Sequence, residues 1–324
     1  MDNYAPILIT VYDRFNHLKR AVESLKKCPE AKNTEIFIAS DMTSEKQKEI
    51  QISEIRTYVN NINGFKKVTP IFFKKNVGIN YSFFFSLDLV FQKYDKVIFS
   101  EDDNVFSPLF LKYINAMSGS YIKNEKVFGI SGFSTNILQP TYKFKNDFLY
   151  KSQACAVWGY IISKEKYYLI DKFIKNKNFY EILRKDLKNR SFVKKLNKIS
   201  LAYYPHFINC IRTKESPAYD HLIAYFCLKY NFINIHNSNT YVKNMGHDGS
   251  GDRSEKNYKL QRHMQNIKFS KTIPEVKSIE LIPERNDLFG FNDRSLFKYY
   301  TKIILIRLGL FNSLKGFIKK MIYK

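Results

Sequence analysis

The sequence predicts an α/β protein: a mixed, mostly parallel sheet flanked by helices. Two patterns predict it. Short apolar runs of strand length alternate with segments whose apolar residues recur at helical spacing. Four of those runs end in polar clusters: Asp13-Arg14, Asp41, Lys74-Lys75 and Asp102-Asp103. That places all four clusters at the carboxyl ends of successive strands, where open parallel sheets bind ligands. The composition permits a real core. The chain has 324 residues, 44% of them hydrophobic and 16% aromatic, enough for one large domain or two small ones.

In chain order, Pro6 to Tyr12 is a first buried strand, and Asp13 to Asn16 is the loop after it. His17 to Lys27 is helical, with Leu18, Ala21, Val22 and Leu25 on one face. Glu35 to Asp41 is a second strand, and Ser44 to Asn61 is a polar helix through Ile52, Ile55 and Val59. Val68 to Phe73 is a third strand. Lys74 to Asn80 forms a basic, glycine-containing loop, and Tyr81 to Phe91 an apolar helix. The fourth strand, Lys96 to Ser100, runs into Glu101-Asp102-Asp103, with Pro108 shortly beyond. Adjacent carboxylates repel and lose solvation when buried, so such a triplet is stable in water or around a cation. Hard divalent ions favour these oxygen ligands and leave positions free for phosphate. The plain alternative is an acidic surface turn.

This strand and acidic triplet, followed by Pro108 and an aromatic helix, resemble the metal-binding DXD-type motif of nucleotide-sugar-dependent glycosyltransferases with the GT-A fold. The form Glu101-Asp102-Asp103 is most similar to the Glu-Asp-Asp version of N-acetylglucosaminyltransferase I and its relatives. Ile9 to Arg14 and Ile38 to Asp41 sit where that family begins its nucleotide pocket. Asn76-Val77-Gly78-Ile79-Asn80 resembles the Asn-x-Gly loop of bacterial, family 2-like members. The resemblance covers the first half of the chain and continues in pieces at Val157 to Tyr160 and Tyr219 to His221.

The resemblance implies roles. Thr10, Val11, Tyr12 and Arg14 would line the base and diphosphate site, and Asp41 the uracil edge or ribose. Asp103 would hold Mn²⁺ or Mg²⁺. Glu101 and Asp102 would act through ribose, sugar hydroxyls or metal-bound water. Lys74 or Lys75 and Asn80 would lie near the donor, and charge developing on the departing diphosphate explains the need for cations there. Trp158-Gly159 resembles the loop that closes on the donor sugar; a core tryptophan is the alternative. Ser216 suits an N-cap and Pro217 a first helical position, which puts Asp220 in the first turn of a helix. A carboxylate there can accept a proton from an acceptor hydroxyl, and the family places its general base at this point. Glu215 is the rival. After a strand region from Ile233 to Val242, the loop Asn244 to Asp252 contains three glycines and His247. It could close over the diphosphate, with His247 at phosphate or metal.

Lys and Arg number 53 against 30 Asp and Glu, a formal charge of +23, which implies an anionic partner. Lys164 to Lys198 has twelve basic residues against four acidic, and reads as an inserted helical subdomain or a solvated hairpin. Arg294 to Lys324 has eight basic residues and no acid, with apolar residues at helical spacing. It reads as a basic amphipathic helix at a membrane surface, broken near Gly309, or as a helix packed on the fold. The expected organisation is a GT-A catalytic domain over 1–270, with a nucleotide half 1–105 and an acceptor half 106–270 holding the insert 164–200. A C-terminal extension covers 271–324. The expected partners are a nucleotide-sugar donor, most simply a UDP-sugar, a glycan or polyprenyl-phosphate-linked acceptor, and an anionic membrane surface. The expected location is cytoplasmic, peripheral at the inner membrane face. The four cysteines form no CxxC pair, which fits a reducing compartment. Neither a signal peptide nor a run long enough to span a bilayer is visible. Two other classes fit less well. A sugar nucleotidyltransferase calls for a Gly-rich phosphate loop after the first strand, and Thr10 to Phe15 has no glycine. A nucleic-acid-binding protein fits the charge but not the motifs, so no nucleic-acid partner is expected.

Overall fold

The computed structural model describes residues 4–134, 147–155, 157–251, 258–282 and 296–314. Its centre is an eight-stranded sheet. The strands are β1 (Ile7–Val11), β2 (Glu35–Ser40), β3 (Lys67–Phe72), β4 (Lys96–Glu101), β6 (Val127–Ser131), β7 (Leu149–Ser152), β8 (Tyr160–Ser163) and β9 (Ile233–Asn237), in the order β3-β2-β1-β4-β8-β6-β9-β7. β1 is parallel to both β2 and β4, and β3 is parallel to β2. β8 enters antiparallel between β4 and β6, and β7 closes the edge antiparallel to β9. The expected mixed, mostly parallel sheet is therefore present. Its register brings Thr10 level with Ala39 on one side and Glu101 on the other.

Alternation along the strands divides the core in two. Ile7, Ile9, Ile36, Ile38, Ile98 and Ile130 face one layer, with α1 (Phe15–Leu25), α2 (Glu49–Asn60) and α4 (Phe110–Tyr121) against them. Leu8, Phe37, Val97, Phe99 and Ile162 face the other, covered by α3 (Ile79–Phe91), α5 (Lys164–Ile174) and the helices that follow it. Both faces of a parallel sheet must be buried, which is why these strands are apolar throughout. Gly129 reflects how tightly β6 and β8 pack: a Cβ there would lie 2.2 Å from the Tyr160 ring.

Several boundaries differ from expectation. α1 begins two residues early, at Phe15, and α2 starts only at Glu49, after a 3₁₀ turn over Lys46–Lys48. The region from Ile233 to Val242 is not one strand. β9 ends at Asn237, and β10 (Val242–Asn244) leaves the sheet to pair antiparallel with β5 (Asn104–Phe106). The basic insert holds α5, α6 (Phe179–Lys188) and α7 (Arg190–Ile199), and α8 (Tyr203–Thr213) completes the helical layer. α9 (Tyr219–Tyr230) has Ala218, not Ser216, at its N-cap, without a side-chain cap; Pro217 lies ahead of the helix. The cap backbone is satisfied from another helix, since Ala218 N–H donates to His206 Nε2 at 3.1 Å. α10 (Tyr258–Asn266) and α11 (Leu296–Arg307) follow; α11 ends two residues before Gly309, whose φ is +75°, and a further helical turn covers 311–314. The C-terminal stretch of the basic segment, 315–324, lies outside the described residues, as does Asp252 of the glycine-containing loop. No helix among the described residues is long and apolar enough to cross a membrane.

Candidate active site

The acidic triplet lies where β4 ends and turns into β5. Asp102 and Asp103 are both buried, and Glu101 is half-buried. The short β5–β10 ladder holds this turn. Asn104 stands opposite Asn244, Met245 N–H donates to the Asp103 carbonyl at 2.8 Å, and Asn244 Nδ2 donates to Asp103 Oδ1 at 2.9 Å. Gly246 follows at once, and the approach there is close: a Cβ would sit 2.1 Å from Asp103 Oδ2.

Arg14, in the loop after β1, supplies the local counter-charge. Its guanidinium grips Asp102 through both nitrogens, Nε to Oδ2 at 3.2 Å and Nη2 to Oδ1, while Nη1 reaches Asp103 Oδ2 at 3.0 Å. Burial opposes the guanidinium charge, yet Asp102 and Asp103 hold it above its ordinary value. For the carboxyls, burial dominates. It pushes Glu101 and Asp102 upward, Asp103 adds to the shift by repulsion, and Arg14 opposes it.

Glu101 joins two other elements. Trp158 Nε1 donates to its Oε2 at 3.2 Å, and the Tyr219 hydroxyl donates to its Oε1 at 2.8 Å. Tyr219 opens α9, and its ring stacks on Phe83 of α3 at 4.2 Å. The next residue is Asp220, in the first turn of α9 as the sequence implied. Its side chain is about a third exposed (36%), and its charge is felt at Glu101. Glu215, the rival, is exposed on the loop ahead of α9, and its charge acts on Tyr180 of α6.

Trp158 is half-buried, edge-on to Phe133 at 4.5 Å and to His247 at 6.3 Å, so it serves core and site together. Gly159 permits a close approach to the protein interior, because a Cβ would meet Val242 and Phe110 within 3 Å, and its φ is +63°. His247 is half-buried and its backbone N–H donates to Gln261. Burial lowers its pKa against the pull of Asp103 and Asp248, so its ring is neutral at pH 7.

The remaining expected residues lie along the neighbouring strand ends with other partners. Val11 is buried, and its carbonyl accepts from Asp41 N–H. The Tyr12 hydroxyl donates to Thr43, with Lys48 over the ring. Asp41 is buried, and its carboxylate accepts the backbone N–H groups of Met42, Val77 and Gly78, which ties the Asn76–Asn80 loop to β2. Lys74 is exposed on that loop, and Asn80 reaches the Ser216 carbonyl at 3.4 Å. The structure thus gathers Arg14, the triplet, Trp158, His247 and, through Tyr219, Asp220. It places Tyr12, Asp41, Lys74 and Asn80 on the flanks.

Asn244, Gly246, Tyr219 and His17 were not assigned roles from sequence. His17 Nε2 lies 3.3 Å from the Met245 carbonyl and 3.2 Å from Asp248 Oδ2, so α1 grips the loop that borders Asp103. Nothing in the sequence marks His17, which sits on a helix face. Tyr219 and Asn244 at least adjoin the Asp220 and glycine-loop motifs.

Among the described residues no cluster of three or more His, Cys, Asp or Glu side chains is disposed to cage a metal. A site completed by substrate oxygens needs fewer protein ligands. Here three carboxylates face one guanidinium in a largely buried pocket, and burial already presses two of them toward protonation. A hard divalent cation fits that surplus charge.

Residues 1–195 match the model of the GNT-I family. No curated protein sequence matches the chain. Among solved structures, Staphylococcus aureus TarS 1–349 is similar at 14% identity, over 81% of this chain and 70% of that one, with a TM-score of 0.39. The same protein solved with UDP-GlcNAc gives 16% identity over 39% of this chain and 32% of that one, TM-score 0.28. The match thus spans about a third of that relative's length. A mannosyltransferase from Pyrobaculum calidifontis, in complex with GDP-Man and Mn²⁺, is 7% identical over 69% of each chain, TM-score 0.37.

Proposed function

Because the chain belongs to the GNT-I family, we propose that it is a metal-dependent glycosyltransferase that moves a sugar from a nucleotide sugar, most simply a UDP-sugar, to an acceptor hydroxyl. The observation that carries the reading is the convergence of Arg14, Asp103 and Trp158, all within the residues that match this family, on one strand end, with Asp220 joined to it through Tyr219. Asp103 would hold Mn²⁺ or Mg²⁺, which when bound offsets charge on the departing diphosphate. Arg14, already held charged between Asp102 and Asp103, would lend a guanidinium to the same oxygens. The base would lie along the ends of β1 and β2, near Thr10 to Tyr12. Asp41 would act by fixing the Asn76–Asn80 loop, with Lys74 and Asn80 at the donor's flank. Trp158 and Glu101, hydrogen-bonded to each other, would bound the sugar, and His247 would close on the phosphates as a neutral donor or acceptor.

Asp220 would take the proton of the acceptor hydroxyl as its oxygen attacks the anomeric carbon. The bond from that carbon to the diphosphate breaks in the same step, the nucleoside diphosphate leaves, and configuration inverts. Asp220 stands in the first turn of α9 with its side chain about a third exposed, open to an acceptor. We further read the acceptor as a surface-polysaccharide or polyprenyl-phosphate-linked glycan at the inner membrane face. The formal charge of +23 supports an anionic setting of that kind. Incubation with a panel of UDP- and GDP-sugars and Mn²⁺ tests the reading. Release of nucleoside diphosphate from one donor, with thermal stabilisation by it, is expected. Neither stabilisation nor turnover with any donor would overturn it.

A further inference from the structure

α11 has two unlike faces. One is packed: Ile303 and Ile306 are 8% and 2% exposed, and the helix lies on α8. The Tyr299 hydroxyl accepts from Asn197 Nδ2 of α7 at 2.8 Å, so α11 also touches α7. The other face is apolar and open. Tyr300, Ile304 and Leu308 are 58%, 56% and 63% exposed. Their spacing of four residues puts them in one stripe. Leu310 and Leu314 add exposed apolar surface beyond the break at Gly309. Single exposed leucines are ordinary, whereas a contiguous row marks an interaction surface.

The two segments that form this face carry charge of one sign. The stretch 296–314 contains no acidic residue, and neither does α7. Lys194, Lys195 and Lys198 of α7 are exposed, and Lys194 lies one turn before Asn197, on the flank that meets α11. Two acids of the helical layer are engaged with lysines, Asp186 with Lys229 and Asp171 with Lys175.

We propose that this composite face, the apolar stripe of α11 bordered by the cations of α7, docks on an anionic membrane surface. A narrow stripe with lysines beside it suits the headgroup region, where apolar side chains enter the acyl boundary and cations stay at phosphates. The proposal rests on the membrane-side reading given above. Vesicle binding is measured without any transfer reaction, so either can fail alone.

The test is co-sedimentation of the full chain with phosphatidylcholine vesicles, with and without phosphatidylglycerol, at low and high salt. Binding is expected only with the anionic lipid, and it should weaken as salt rises. Each cation near such a surface contributes about 1 kcal/mol, so Lys194→Glu with Lys198→Glu should weaken binding at least tenfold. Ile304→Ser with Leu308→Ser should do the same, while Ile304→Leu should bind as wild type. The lysine pair is exposed and its Tm should not move, which keeps the test valid if the apolar pair unfolds the helix. Equal binding to neutral vesicles, or unchanged binding by the lysine pair, would overturn the proposal. So would a dimer in solution that the apolar pair splits, since a second copy would then cover the stripe.

Discussion

Asp220 follows directly on Tyr219, whose hydroxyl is fastened to Glu101 in the acidic turn. That link, with the stacking of the Tyr219 ring on Phe83, ties the proposed base to the proposed donor site. Asp220→Asn keeps the shape and removes the proton acceptor. Its kcat should fall about 10²-fold or more, with nucleotide-sugar binding and Tm retained. Crippled Glu215→Gln with an active Asp220→Asn would reassign the base. At this scale the acidic triplet and Arg14 were legible in the sequence, because three adjacent carboxylates at a strand end repel one another unless water or a cation relieves them. Asn244, Gly246 and His17 were not legible. Each acts across more than a hundred residues of chain, His17 on Met245 and Asn244 on Asp103, and no local pattern encodes such a pairing.

Among elements, the pairing of β2 with β3 offers a pH test. Glu35, at the start of β2, is buried. Its carboxylate accepts from Thr69 Oγ1 at 2.6 Å, from Lys93 at 3.0 Å and from the Tyr94 hydroxyl. Burial raises its pKa, but these hydrogen bonds outweigh it and bring it down to about 2 from an ordinary 4.5. A carboxyl whose folded pKa is depressed stabilises the fold above its unfolded pKa and loses that effect as pH falls toward the folded value. The Tm of wild type should therefore exceed that of Glu35→Gln near neutral pH, and the gap should close between about pH 4.5 and 2. A gap that stays constant over that range would mean the hydrogen bonds do not bind the charged form selectively. The helices of the first half were legible from their period, and the first four strands from apolar runs that end in polar clusters. The three-residue strands β5 and β10 were not, being too short to show alternation. The start of α9 was misplaced for a related reason. Ser216 and Pro217 are good local signals, but the cap is supplied by His206 of another helix.

Over the whole molecule, parallel strands point their carboxyl ends to one edge, and that topology gathers residues from 10 to 247 into one site. The α/β class and the ligand edge could be read from where polar clusters interrupt apolar runs. The insertion of β8 between β4 and β6 could not, since it depends on which strand fills the gap rather than on its own composition. The helical layer and α11 combine what the sequence left as alternatives. The basic C-terminal helix is packed through Ile303 and Ile306 and exposed through Ile304 and Leu308 at once. Asp103 is the residue through which a divalent cation and a nucleoside diphosphate would be held together. Calorimetric titration with UDP, with Mn²⁺ or with EDTA, on wild type and Asp103→Ala tests that role most directly. Binding to wild type with Mn²⁺ is expected, with a loss of at least tenfold in EDTA, and the same loss in Asp103→Ala at an unchanged Tm. Equal UDP affinity for both proteins, with and without the metal, would contradict it.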